Sequence, residues 1–420
     1  MRVLWVTMNA SLYDSSKGDS YGGIGWIGAL FRQLKINNSN DIELGVASIY
    51  NSDAKEVVNG VTFYGIKSRK PAGLKKWLYY VKDYKNRNHL DYFHEISSVV
   101  SDFKPDVIHL WGVENQLASV SHYKDIPVVA HLQGLLSLYI YIYYPYGTNA
   151  HSFKLDRFSR REWLFHNGFV FGEHEMKVRA EIEKKHLNDV TAVMGRTHWD
   201  KSVALFNNPK VRYYHVDEAL REEFYAAPSW DKQRRERFVI YTTISDTIYK
   251  GLDVVMKAAS ILKEYNYFDF EWRIAGIKSE TEFVKWFEKF VGLKCEKMSI
   301  CFLGRQSPEQ LVSSLLDADL YVHPSYIDNS PNSLCEAQYL GVPCCATNVG
   351  GVASLIKDRE TGVLIPANAP FDMAMAIKDC YDNETIWRDY ADKGQKVARE
   401  RHEPKRILRQ LITVYNDLTK

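Results

Sequence analysis

At 420 residues the chain is too long for one ordinary hydrophobic core, and its 45% hydrophobic and 25% charged residues exclude a disordered or fibrous protein. Net charge is only +2, which gives no ground for a nucleic-acid partner. It is unevenly spread: residues 1–215 carry 27 basic against 21 acidic side chains, and residues 216–420 carry 27 against 31.

The chain opens on "RVLWVT" (2–7), an apolar run far too short for a signal sequence, and no stretch approaches the roughly 18 apolar residues of a membrane helix. A cytoplasmic protein is the expectation. "YGGIGWIGAL" (21–30) formally matches the dinucleotide fingerprint, but 15 residues separate Thr7 from Gly23 where the fingerprint wants a strand end. What remains is a backbone able to approach a ligand at Gly22 and Gly23, or tight helix packing at Gly25 and Gly28. Further strands are expected at 42–49, 106–112, 127–134, 191–195 and 211–216. All are nearly continuously apolar, as strands covered on both faces must be. "IKSRKPAGLKKWLYYVKDYKNR" (66–87) sets eight Lys/Arg against Asp83, with Trp77, Tyr79, Tyr80 and Tyr84 interleaved. That pattern suits an anionic membrane surface, or equally a solvated helix face. "LYIYIYYPYGT" (138–148) reads as a carbohydrate-stacking wall or as a half-buried strand or helix.

After the polar, charge-dense stretch 217–237 the strand-helix alternation resumes, with strands at 238–244, 271–276, 298–304, 318–325 and 341–348. The expected layout is an N-terminal domain over 1–216, a linker over 217–237, a second domain over 238–395 and a C-terminal helix over 396–420 that crosses back to the first. Alternating strands and helices imply parallel sheets, hence two doubly wound α/β domains facing each other, with ligands beyond the strands' carboxyl ends. All six cysteines fall in the back half without a Cys-x-x-Cys pair, which reads as buried, reduced thiols.

"DNSPNSLCEAQYLGVP" (328–343) places Asp328 and Glu336 eight positions apart around a helix start, with Pro331 suited to the first turn. Exposed amides near 331–334 make an anion site; Glu336 and Asp328 then reach hydroxyls on either side of a diphosphate. Plain dipole complementarity explains the acids equally well. "ISDTIYKGLDVVM" (244–256) offers Lys250 as a phosphate counter-charge, or simply as a surface lysine. The Gly pair of "NVGGVASLI" (348–356) allows close backbone approach or a turn. "DAD" (317–319) has the letters of a metal site but closes a helix, and the remaining histidines show no metal-binding spacing.

These pieces together resemble the retaining nucleotide-sugar glycosyltransferases of family 4, which have the GT-B fold. The resemblance is strongest over 302–356 and "GVLIP" (362–366), spans roughly 238–420, and is patchy in front. It implies a UDP- or GDP-sugar donor and a glycan or lipid-linked glycan acceptor, with neither metal nor other cofactor. Residue by residue, it implies that Glu336 holds the ribose and Asp328 the transferred sugar. Lys250 and the amides around Ser333 and Leu334 hold the diphosphate; Asn329, Ser330 and Asn332 also belong to the donor site, Gly22 and Gly23 approach the donor, and His131 lines the sugar pocket. The chain departs from the family twice. Asp328 stands where Glu is usual, a reach shorter by roughly 1.5 Å. The arginine that usually partners the lysine is absent: Ser245 lies near its place, leaving Arg196 or Arg305 as substitutes. That gap keeps open a non-catalytic nucleotide-sugar binder or a nucleotide-sugar epimerase of the same fold.

Overall fold

The computed structural model describes residues 1–8, 12, 25–37, 42–69, 91–154, 168–233 and 236–420. Gly22, Gly23 and most of the basic stretch 66–87 lie outside the described residues. The chain divides into two compact units.

The first unit comprises residues 1–141, 150–219 and 404–420. Its strands are β1 (Arg2–Thr7), β2 (Glu43–Tyr50), β3 (Ala54–Val58), β4 (Val61–Lys67), β5 (Val107–Trp111), β6 (Val128–His131), β7 (Ala192–Gly195) and β8 (Arg212–His215). They form one sheet in the order β3-β4-β2-β1-β5-β6-β7-β8, parallel throughout except for β3 against β4. The β3–β4 hairpin was not anticipated. Its turn is Asn59-Gly60, both residues at positive φ (50° and 76°), as a two-residue hairpin loop requires. The mostly exposed β3 is too polar to read as a strand.

Every side chain of β5 is buried, as is Trp5 of β1. The helix Pro404–Leu418 lays Ile407, Leu408, Leu411, Val414 and Tyr415 onto this core. Each such fully buried aliphatic side chain contributes about 1.5–3 kcal/mol. The Tyr415 hydroxyl accepts from Trp5 Nε1 at 3.0 Å and lies 2.6 Å from His109 Nδ1, which gives the helix one register. The expected C-terminal helix over 396–420 is two helices, Glu384–Arg401 in the second unit and Pro404–Leu418 in the first, broken ahead of Pro404.

The second unit comprises residues 142–149 and 220–403. It holds β9 (Phe238–Thr243), β10 (Phe270–Ala275), β11 (Ile300–Gly304), β12 (Leu320–His323), β13 (Cys344–Thr347) and β14 (Val363–Ile365), a fully parallel sheet ordered β11-β10-β9-β12-β13-β14. The unit boundary falls between Ala219 and Leu220, inside the stretch read as a linker, and that stretch contains the helix Glu222–Ala226. The Tyr-rich run 138–148 is also divided. Its start ends the short helix Leu136–Tyr139, while residues 142–149 pack with the second unit. Along the run Tyr139 and Tyr143 are buried, and Tyr141 and Tyr146 are exposed. All six cysteines are free and five are buried, but Cys301 is exposed on the edge strand β11, against expectation. Both units are doubly wound α/β domains. Among the described residues, no helix is long and apolar enough to cross a membrane.

Candidate functional site

In the second unit β9 has β10 on one side and β12 on the other, so chain direction around the sheet reverses between β9 and β12. Loops leaving the carboxyl ends of two such strands splay apart and open a crevice. The loop after β9 carries Lys250, and the loop after β12 carries Asp328. The two are stitched together by the Tyr326 amide, which donates to Tyr249 O at 2.9 Å.

The chain turns from β9 into the helix Leu252–Tyr265 through Gly251, at φ 76°. A Cβ there would stand 2.1 Å from Pro324 O. Only glycine lets the two loops approach this closely. Gly251→Ala is expected to cost at least about 1–3 kcal/mol, measured by denaturant unfolding. A variant as stable as wild type would contradict this close approach.

Lys250 Nζ lies 2.6 Å from Asp328 Oδ2. His323 Nε2 is 3.2 Å from the same oxygen, and the Ser325 hydroxyl stands at 3.5 Å. The Asn329 amide donates to Oδ1 at 3.1 Å, and Gly351 N–H holds the Asp328 carbonyl at 3.0 Å. The Gly pair forms a turn, with Gly350 at φ 50°, whose Gly351 amide holds the 328 loop. Burial alone would raise the Asp328 pKa. The Lys250 ammonium, with His323 behind it, reverses this and holds the carboxyl well below the usual carboxylate range. Asp328 is ionised, and it aims the lysine.

The helix after β12 spans Asn332–Leu340, and Pro331 is its N-cap rather than part of its first turn. The Leu334 amide is already bonded to Pro331 O at 3.0 Å, so the amides the helix start presents are those of Asn332 and Ser333. Tyr321 donates to the Ser333 hydroxyl at 2.7 Å and fixes that side chain. Asn329 and Ser330 are buried in the preceding loop. Ser245 is exposed after β9, its hydroxyl donating to Thr247.

Glu336, 5% exposed, carries a cation that sequence reasoning missed. Arg221 donates to its Oε1 from Nε at 2.9 Å and from a terminal nitrogen at 2.6 Å. Burial raises the Glu336 pKa, and the Arg221 charge offsets only part of that. Arg221 precedes the helix Glu222–Ala226, within the stretch read as a plain linker.

The two arginines named as substitute cations behave differently. Arg305 is exposed after the edge strand β11. Arg196 belongs to the first unit, where it donates to the Leu132 and Gln133 carbonyls at 3.4 and 3.0 Å and lies 4.4 Å over Trp26. His131 ends β6 in that unit, fully buried, stacked 5.0 Å from Trp111 and 5.4 Å from His109. Burial drives its pKa well below the usual imidazole value, so the ring is neutral. The acids of "DAD" are occupied: Asp317 pairs with Arg273 and Asp319 with Lys232, each at 2.7 Å.

Residues 229–399, which contain Lys250, Asp328 and Glu336, match the family model for glycosyl transferases group 1. That match lies wholly within the second unit. Similar proteins include the D-inositol 3-phosphate glycosyltransferase of Paenarthrobacter aurescens (strain TC1), 33% identical over 139 residues, or 32% of this chain and 33% of that protein. The N-acetyl-alpha-D-glucosaminyl L-malate synthase of Bacillus anthracis is 22% identical over 60% of this chain and 62% of its own length. The chain thus spans about a third to under two thirds of these relatives. Among solved structures, sucrose-phosphate synthase (tll1590) from Thermosynechococcus elongatus superposes with a TM-score of 0.72 at 12% identity, covering 100% of this chain and 99% of that one. Anabaena Alr3699/HepE in complex with UDP-glucose does so with a TM-score of 0.65 at 13% identity, covering 99% and 100%. The fold is GT-B, with two Rossmann-like units.

Proposed function

We propose that the protein is a retaining glycosyltransferase that moves a sugar from a UDP- or GDP-sugar to a glycan or lipid-linked glycan. The observation that carries this reading is the pairing of Lys250 with Asp328 at the switch point of the sheet, within the stretch matching the group 1 model and with Glu336 about a turn into the helix that follows. An ammonium has three N–H donors, so Lys250 held by Asp328 still has two for a diphosphate. The Asn332 and Ser333 amides add the partial positive charge of a helix start. Glu336 takes the ribose hydroxyls and Asp328 lies beside the transferred sugar.

In the reaction the bond from the anomeric carbon to the diphosphate oxygen breaks. A bond to the acceptor oxygen forms on the same face, and the acceptor's proton passes to the departing phosphate oxygen. Stabilisation of the leaving diphosphate by Lys250 and the helix start is the main contribution of this chain, and it calls for neither a base carboxylate nor a metal at this site. Product analysis tests the reading: UDP- and GDP-sugars are incubated with and without acceptor, and the anomeric configuration of the product is read by NMR. Retained configuration in an acceptor-linked product supports it. Interconversion of free donor would make the protein an epimerase, and binding without turnover a degenerate binder.

For the acceptor side we propose peripheral contact with an anionic membrane through 66–87, in keeping with a cytoplasmic enzyme acting on lipid-linked substrates. Each basic charge near the surface is worth about 1 kcal/mol, roughly fivefold in affinity, so neutralising all eight Lys/Arg is expected to abolish co-sedimentation with anionic vesicles. Unchanged sedimentation would contradict it.

A further inference from the structure

The first unit assembles a set of donors that plays no part in the proposed reaction. His122 ends the turn Ala118–His122, and His186 and Asp189 stand three apart in the last turn of the helix Phe169–Asp189. Three-residue spacing puts the latter two on one helix face, turned toward the former. His122 Nε2 lies 3.2 Å and His186 Nδ1 3.9 Å from Asp189 Oδ2, and one donor atom from each of the three residues falls within 4.8 Å of the others. A tetrahedral ion with bonds of about 2.0–2.1 Å sets its ligand atoms about 3.3–3.4 Å apart; the His122–Asp189 pair already has that spacing, and the other pairs would close by about 0.5 to 1.5 Å, within reach of side-chain rotation.

The electrostatics favour a cation. Asp189 is an acid in the last turn of a 21-residue helix, where the helix carbonyls already concentrate negative charge. The side chains of His122 and Asp189 are 39% and 34% exposed, so the outer side of the triad is open to water as a fourth ligand. Two imidazoles with one carboxylate suit zinc-type transition cations, whereas magnesium and calcium want an all-oxygen shell.

We propose that His122, His186 and Asp189 form a binding site for a divalent transition cation of the zinc class, clamping the 118–122 turn to the end of the long helix. Nothing in this proposal depends on the sugar-transfer reading. His186 Nδ1 now lies 2.8 Å from the Ser121 hydroxyl, so the cation and that hydroxyl compete for one nitrogen.

The test is calorimetric titration of zinc chloride into the full chain, freed of any affinity tag and stripped with chelator, with thermal unfolding measured with and without zinc. Wild type is expected to bind zinc and to unfold at higher temperature with it. His122→Ala and Asp189→Asn, both at partly exposed positions, should each weaken binding by at least about 10- to 100-fold, the loss that removal of mere supporting groups produces. Ser121→Ala, which frees Nδ1, should bind at least as tightly as wild type, and His198→Ala elsewhere in the unit should be unaffected. Cobalt(II) bound at the site should give the visible absorption of a tetrahedral ion, lost in His122→Ala. Absence of binding by wild type overturns the proposal, as does equal binding by His122→Ala and Asp189→Asn.

Discussion

Lys250→Ala is expected to lower kcat for sugar transfer by about 100- to 1,000-fold, the usual cost of removing one preorganised group from a developing negative charge. The Lys250 ammonium is already fixed at 2.6 Å by a carboxylate that remains ionised. It therefore need not be reorganised when the diphosphate leaves. The substitution also removes the main counter-charge of a buried acid. Unpairing a buried charge costs about 3–5 kcal/mol, but Lys250 is 23% exposed and water recovers part of that. Thermal unfolding of the variant separates the two effects. A fully folded variant with kcat within tenfold of wild type would remove Lys250 from the reaction.

Arg221→Ala is expected to give the largest loss of stability among the site variants, about 3–5 kcal/mol at neutral pH, because Glu336 is left buried without its cation. The pH dependence has a definite sign. The folded-state pKa of Glu336 is already raised by burial, and removing Arg221 raises it further. A group raised in this way binds its proton more tightly when folded, so its contribution is fully present below the ordinary glutamate value and is lost as pH rises through the folded value. The gap between Arg221→Ala and wild type should therefore narrow as pH falls from neutral toward the ordinary glutamate range. Thermal unfolding at several pH values checks this, and a gap that widened on acidification would contradict it.

The sheets were legible because their strands are buried on both faces and therefore read as unbroken β-branched runs, as in β5 and β9. β3 was missed for the opposite physical reason: it is a polar strand at the sheet edge, marked only by the Asn59-Gly60 turn that follows. Within the site, Lys250, Asp328 and Glu336 stood out through their glycine- and proline-marked loops and the family resemblance, and the structure brings Lys250 and Asp328 together. Arg221 carries no such mark. It lies 115 residues before its partner, in a segment whose many charges read as solvent-exposed, and the only local signal was an arginine directly ahead of two glutamates at a short helix start. His122 and His186 were likewise invisible as a pair, because they stand 64 positions apart and only folding brings them together.

The measurement that bears most directly on the central claim is calorimetric titration of UDP, GDP and ADP into wild type and Glu336→Ala. The account predicts that one nucleotide binds wild type and that the substitution weakens it by about 10- to 100-fold, the worth of hydrogen bonds to a charged group. Binding of none of the three, or binding unchanged by loss of Glu336, would contradict a nucleotide-sugar site at the 328–336 helix start.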